Sequence, residues 1–381
     1  MISKRHDAER GQTVGVAERR IVQNNLAHSA DVGKASAKQL GDVVAFPRAT
    51  TSSLRVEYTV LEAGAGRASP AKTLGVGAHD APIVTQHGQQ PAAGIVRRES
   101  VVGSATEVLS RLAITLEAMS DRQALVCAPP PPGQDVWEFV SQREAGDRTD
   151  VISRSAAHFP APAGPALFGL DLDVKGWPPA LLSRVKAFPE QIAGVLATVA
   201  PTFGGAAGLV RPSSSAGVRY RESGQETDKG AGQHRFYVGS DGREIARAVT
   251  ALHERLILEG WGYGFVFESG HIDVRSLIDR SASVATERLW FEGRVKLADP
   301  RLELVPNGRK AVLRNEGGGP VDLSTIADLT ADERARFGAM CDGIRQPLRA
   351  LAETKRRVWK GKRRAELIGK GVTCLQKIGP F

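Results

Sequence analysis

Leu167-Phe168-Gly169-Leu170-Asp171-Leu172-Asp173-Val174 is an apolar run interrupted by carboxylates only at alternate positions. Such a run predicts a buried strand, and its period of two puts Asp171 and Asp173 on the same face. Two like charges a few ångströms apart raise at least one carboxyl pKa and cost stability unless a proton or a cation neutralises them. Hard carboxylate oxygens without nearby thiolates suit Mg²⁺ or Mn²⁺, the ions that bridge protein carboxylates to nucleotide phosphates. The same residues also read as a strand end whose Asp side chains cap the turn at Lys175-Gly176-Trp177-Pro178-Pro179. The strand by itself leaves both readings open.

Around this strand lies a chain of 381 residues, 41% hydrophobic and 24% charged, enough for one sizeable domain with extensions or for two domains. No apolar run approaches the roughly 18 residues of a spanning helix. Met1-Ile2-Ser3-Lys4-Arg5-His6 leads into charged residues without a signal-peptide core, so the expectation is a cytoplasmic protein with no membrane partner. Cys127, Cys341 and Cys374 are too far apart for a CxxC metal signature or a disulfide framework. A net charge of +9 favours an anionic partner.

Residues 1–102 scatter their apolar side chains and are expected to be weakly ordered or peripheral, although Leu54 to Val60 alternates like a strand. A catalytic domain is expected over 103–325 and a helical basic extension over 326–381. Helical spacing begins after Gly103-Ser104 and runs through Val108, Leu109, Leu112, Leu116 and Met119, followed by a strand at 123–128. Arg154 and His158 come shortly before the acidic strand, either facing phosphate or as a loop charge and a packed His. A helical spread over 180–199 is broken at Pro189. Ser213-Ser214-Ser215 form a turn that could hold phosphate or serve as a plain loop. Arg219, Arg221 and Lys229 lie on a polar, Gly-rich arm, and His234-Arg235 open the next strand after small residues. An amphipathic helix is predicted from Ile245 to Leu256, and a strand over 264–268. Asp279 is a third carboxylate after an apolar pair, or else the N-cap of a helix over 280–289. A helical stretch over 332–364 kinks at Pro347 and ends in a cluster in which seven of ten residues, Lys355 to Arg364, are basic.

Asp171-Leu172-Asp173, the small-residue turn before His234, and Leu277-Ile278-Asp279 follow the order of the three motifs of the archaeo-eukaryotic primase superfamily. The chain resembles the primase-polymerase domains of phage and plasmid replication proteins over about residues 105–300. Flanking phrases extend the likeness: Ser153-Arg154 with His158-Phe159, Pro212 to Gly217, Ile278 to Ser281, and Glu287-Arg288-Leu289-Trp290-Phe291-Glu292-Gly293. The middle motif departs from the pattern, with Gly232-Gln233 preceding His234 and the serines displaced to 213–215. No GxxxxGK[ST] occurs, so the helicase half of the fused proteins is absent and a stand-alone module, a fragment or a mobile-element relic is expected.

The resemblance implies an α/β (α+β) fold, a primase-polymerase core with an RRM-like half and a mixed sheet covered by helices. It implies a DNA primase or primase-polymerase, a nucleotidyltransferase in plasmid or phage DNA replication. Asp171, Asp173 and Asp279 would be catalytic ligands of Mg²⁺ or Mn²⁺, and His234 would contact the phosphates of an incoming NTP or dNTP, with Arg235, Arg288 and Ser213 to Ser215 nearby. Single-stranded DNA template would run along Arg154, Arg219, Arg221, Lys355, Arg356, Arg357, Lys360, Lys362, Arg363 and Arg364, with a separate replicative helicase as candidate partner. Two rivals stand beside this: a non-catalytic single-strand-binding replication protein with a decayed primase fold, and a metal-dependent glycosyltransferase using the DxD strand.

Overall fold

A computed structural model describes residues 53–77, 82–188, 190–226 and 232–370. The chain runs through β1 (Leu54–Ala63), β2 (Thr73–Val76), β3 (Pro82–Gln86), β4 (Ala93–Gly103), α1 (Ala105–Ala118), β5 (Gln123–Val126) and β6 (Val136–Val140). It continues through α2 (Gln142–Ala145), β7 (Val151–Ser153), β8 (Ala166–Leu172), α3 (Pro179–Ala187), α4 (Ile192–Val199), β9 (Gly208–Pro212), β10 (Val218–Tyr220) and β11 (Gln233–Gly239). After α5 (Ile245–Leu256) come β12 (Tyr263–Val266), β13 (Ile272–Arg275), α6 (Arg280–Val284), β14 (Lys296–Leu297), β15 (Leu302–Leu304) and β16 (Val312–Arg314). Two helices, α7 (Ala331–Arg345) and α8 (Arg349–Gly369), close the described chain. The fold is mixed α/β with several sheets.

The acidic strand β8 is the edge of an antiparallel sheet of order β16-β9-β11-β8. Alternation along β8 sorts its residues between two cores. Phe168, Leu170 and Leu172 pack with Tyr237 beneath α3, α4 and α5, against Leu181, Val195, Leu196, Val249 and Leu252. Leu167 joins Leu209, Phe236 and Val238 on the other face, under Val108, Leu109, Leu112 and Leu116 of α1 and Val56 and Tyr58 of β1. Helices thus cover both faces, as the apolar spacing of these three segments predicts. Each fully buried side chain of this kind contributes roughly 1.5–3 kcal/mol. The start of α1 is set by Ser104, whose side chain and Glu107 complete a capping box.

Gly169 keeps the second core closed. It lies opposite Phe236, and a Cβ there would meet Trp290 Cζ2 at 2.6 Å and Cη2 at 2.7 Å. Gly169→Ala should therefore destabilise by about 1–3 kcal/mol, the cost of overpacking a filled core. Chemical denaturation checks this, and an unchanged midpoint would show that the indole has room to move.

The expectation of a peripheral segment up to residue 102 gives way over 54–102. Strands β1 and β4 pair over their whole length at the centre of a sheet of order β5-β1-β4-β6-β7, with Val56, Tyr58, Leu61 and Val96 fully buried. Sequence masks this because β4 carries Arg97-Arg98-Glu99 in mid-strand and its partner lies some forty positions away. Residues 1–52 lie outside the described residues.

The predicted helix over 332–364 is two helices, separated at Pro347 by a tight turn over Gln346–Leu348. Pro189, where the earlier helical spread breaks into α3 and α4, lies outside the described residues. Among the described residues, no helix is long and apolar enough to cross a membrane.

Candidate functional site

Asp171 on β8, His234 on β11 and Arg211 on β9 are cross-strand partners in direct register, so their side chains form one row on the α1 side of the sheet. Glu292 lies over this row, wholly buried. His234 Nδ1 hydrogen-bonds Glu292 Oε1, which leaves Nε2 facing Asp171 Oδ1 at 3.6 Å. Arg211 Nη1 and Arg309 Nη2 donate to Glu292 Oε2 at 3.0 and 3.2 Å. Arg309 also donates to the Gly293 carbonyl at 2.9 Å, and Arg211 to that of Glu292 at 3.0 Å. The His234 ring packs edge-on against Trp290, 5.3 Å between centroids. Buried partners therefore fix the position and orientation of this histidine's ring.

Burial alone would raise the Glu292 carboxyl, yet His234, Arg211 and Arg309 together hold it down at about 2. Burial would likewise lower His234, but the Glu292 charge and hydrogen bond, with Asp171 beyond, raise it above its ordinary value. Arg309 is lowered to about 10, chiefly by burial. The outcome is an imidazole biased toward its protonated form, whose Nε2 faces Asp171 on the acidic strand.

Asp171 is raised by burial, and the charges of Asp279 and Asp173 push it further while His234 and Lys72 oppose them. Two of the predicted carboxylates, Asp279 and Asp173, thus act on the third near the end of β8. Asp279 is tied to the strand through its backbone N–H, which donates to the Asp171 carbonyl at 2.8 Å. Its side chain also fulfils the capping alternative: Oδ1 accepts from Ser281 N at 2.9 Å and from Ser281 Oγ at 2.6 Å at the start of α6. Tyr263 on β12 is buried beside the same charges, and its hydroxyl is pushed up to about 12, first by burial and also by Asp173 and Asp279. Among the described residues, no group of three or more His, Cys, Asp or Glu already forms a metal-binding set.

Other expected residues fall elsewhere. Arg235 follows His234 along β11 and so takes the opposite side of the strand, where Nε donates to Gln233 Oε1 at 3.2 Å. It is not brought to the His234 row. Arg219 and Arg221 do sit at a short exposed hairpin, the Arg219 backbone bridging to that of Glu226, but its base pairs with β15 and both guanidiniums bind Glu303, at 2.7 and 3.4 Å. Lys229 lies outside the described residues. His158 Nδ1 is engaged by Ser155 Oγ at 3.0 Å and Ser153 Oγ at 3.3 Å, the packed reading. Arg154 contacts Gln90 and feels the charges of Glu287 and Arg288, so Arg154 and Arg288 sit together. Ser213 N–H donates to the Gly232 carbonyl at 2.9 Å and Ser214 is buried, which closes the serine turn over the start of β11. In the basic cluster, Lys355 donates to the Val266 carbonyl at 3.2 Å and Arg356 to that of Gly270 at 3.1 Å. Arg357, Lys360, Lys362, Arg363 and Arg364 are exposed, with Arg363 on Glu366 at 2.7 Å.

Sequence reasoning gave no role to Glu292, Arg211, Arg309, Trp290 or Lys72. A lone Arg in Gly208-Leu209-Val210-Arg211-Pro212 and a lone Glu closing Leu289-Trp290-Phe291-Glu292 are each charges on apolar runs, a signal that buried charges require partners. Compared with family models, curated proteins and solved structures, the chain gave no match.

Proposed function

We propose that the chain is a template-directed nucleotidyltransferase of the primase-polymerase type, acting on single-stranded DNA with NTPs or dNTPs. The observation that carries this reading is the Asp171–His234–Glu292 row beside Asp173 and Asp279. A cationic donor faces a crowd of carboxylates, which suits the two halves of a nucleoside triphosphate with its cation: phosphate oxygens toward His234 and the ion toward the aspartates. The donor set fits a hard divalent ion, since it is all oxygen and Asp171 is raised by burial and like charge, the strain a cation relieves. Asp171, Asp173 and Asp279 would hold Mg²⁺ or Mn²⁺, which when bound supplies charge neutralisation at phosphate and a lowered hydroxyl pKa. Asp279 would leave its cap to join them, at a cost of about 0.5–2 kcal/mol. His234 donates from Nε2 to phosphate, and Glu292 keeps it protonated and oriented.

One observation favours a non-catalytic single-strand binder instead: Asp279 already spends Oδ1 on the α6 cap. Synthesis on single-stranded DNA with labelled NTPs or dNTPs, in Mg²⁺ or Mn²⁺, separates the two. Metal-dependent product is expected from the wild type. No product in any combination, with DNA still bound, would leave the binder.

A further inference from the structure

The β12–β13 hairpin adjoins the carboxylates, and α8 packs on the hairpin. Tyr263 and Phe265 lie two apart on β12, and both approach the turn that follows Asp173: a Cβ at Gly176 would be 3.7 Å from Tyr263 Oη and from Phe265 Cδ2. Phe267 extends the row to the hairpin tip, its ring 5.0 Å from that of Phe265 and edge-on to it. Arg275, held by Asp273 at 3.0 Å, places its guanidinium 4.4 Å from the Phe265 ring centre and 5.1 Å from that of Phe267. The His271 ring lies 5.8 Å from that of Phe267 and is tilted 30° to it.

This row ends where the basic helix begins. Gly270, at φ +76°, lets the hairpin turn abut α8, since a side chain there would run into the Ala352 carbonyl and the Arg356 backbone. Lys355 and Arg356 then fasten the helix to the hairpin through the Val266 and Gly270 carbonyls. Beyond them five basic side chains are exposed over Arg357 to Arg364. Phe267 itself is 36% exposed, so its ring adds little to the core it borders.

We infer that the β12–β13 hairpin and α8 form the path of a single nucleic-acid strand, a base stacking on the exposed Phe267 and its phosphates following the basic side chains of α8. Rings beside a run of unlike charge suit a partner that carries flat apolar faces and a polyanionic backbone together, which single strands offer and duplexes conceal. The path leads to Asp173 and Asp279, and its use for template or product rests on the nucleotidyl-transfer reading above.

Anisotropy of a labelled oligothymidylate in EDTA tests the path without chemistry. Phe267→Ala should weaken binding about tenfold, the worth of one base stack, with the salt dependence unchanged. Phe267→Trp should bind as wild type or tighter, and Phe267→Leu should bind as weakly as the alanine variant. Changing Arg357, Lys360, Lys362 and Arg364 to Gln should make the log affinity–log salt plot shallower by about 0.7 for each phosphate that is no longer neutralised. Failure of the wild type to bind, full binding by Phe267→Ala, or full binding by Phe267→Leu each overturns the path. If the strand binds through Phe267 but no metal and nucleotide give product, the catalytic reading fails and the path stands.

Discussion

Asp171→Asn should abolish nucleotide addition and leave the melting temperature unchanged or raised. The activity loss follows from the site's charge: of the three carboxylates, Asp171 is the one in register with His234 and within 3.6 Å of its Nε2. Removing one preorganised charge-stabilising group costs about 10²–10³ in turnover. The effect on stability has the opposite sign. A carboxyl whose folded pKa is raised above the ordinary 3.8 binds its proton more tightly folded than unfolded. Stability from this group is therefore lost as pH rises through the folded value, and above it the ionised Asp171 is a net cost. Asn keeps the size and removes the charge. His234 loses one counter-charge but retains Glu292, which is the nearer and the fully buried one. Single-turnover incorporation and thermal melting of the same preparation check both halves. An unfolded variant would make Asp171 a structural residue, and an active one would remove it from the chemistry.

What could be read from the sequence was local. The β8 alternation, the α1 and α5 apolar spacing and the break at Pro347 each depend on residues a few positions apart, and each formed where predicted. The apolar-then-acidic pattern marked Asp171 and Asp279 as residues at segment ends, and it is the Asp279 N–H bond to the Asp171 carbonyl that brings those two ends together. Register was not legible. That Arg211 lies level with His234, that Glu292 drops between two arginines, and that the Lys72 charge acts on Asp171 from the N-terminal region are consequences of pairings over 17 to about 100 positions. No periodicity encodes such pairings. The ion pairs of Arg219 and Arg221 were hidden for the same reason, since their partner Glu303 is over eighty positions away on β15.

Glu292→Ala should be the most damaging single change in the molecule. The carboxylate is wholly buried and meets three cationic side chains, Arg211, Arg309 and His234, none of them more than 11% exposed at the side chain. Truncation leaves those charges buried and unpaired, a loss of about 3–5 kcal/mol. Against a total stability of about 5–15 kcal/mol this lowers the denaturation midpoint severely or prevents folding. Glu292→Gln keeps the shape and part of the hydrogen bonding, so it should fold and report on charge alone through pH. Glu292 falls from its ordinary 4.5 to about 2, so its contribution is complete above about 4.5 and is lost as pH falls toward 2. His234 is raised from 6.5, so its contribution is complete below 6.5 and is lost as pH rises through the raised value. The wild-type cluster should therefore contribute most between pH 4.5 and 6.5, falling away on both sides. Glu292→Gln removes the acid limb outright and lets burial pull His234 back down, which flattens the alkaline limb as well. Urea denaturation from pH 3 to 9 would resolve the two limbs to within the roughly 0.5 kcal/mol of such extrapolations. A variant with both limbs intact would show that the pair does not govern the charge state of His234, and the imidazole would lose its role as phosphate donor.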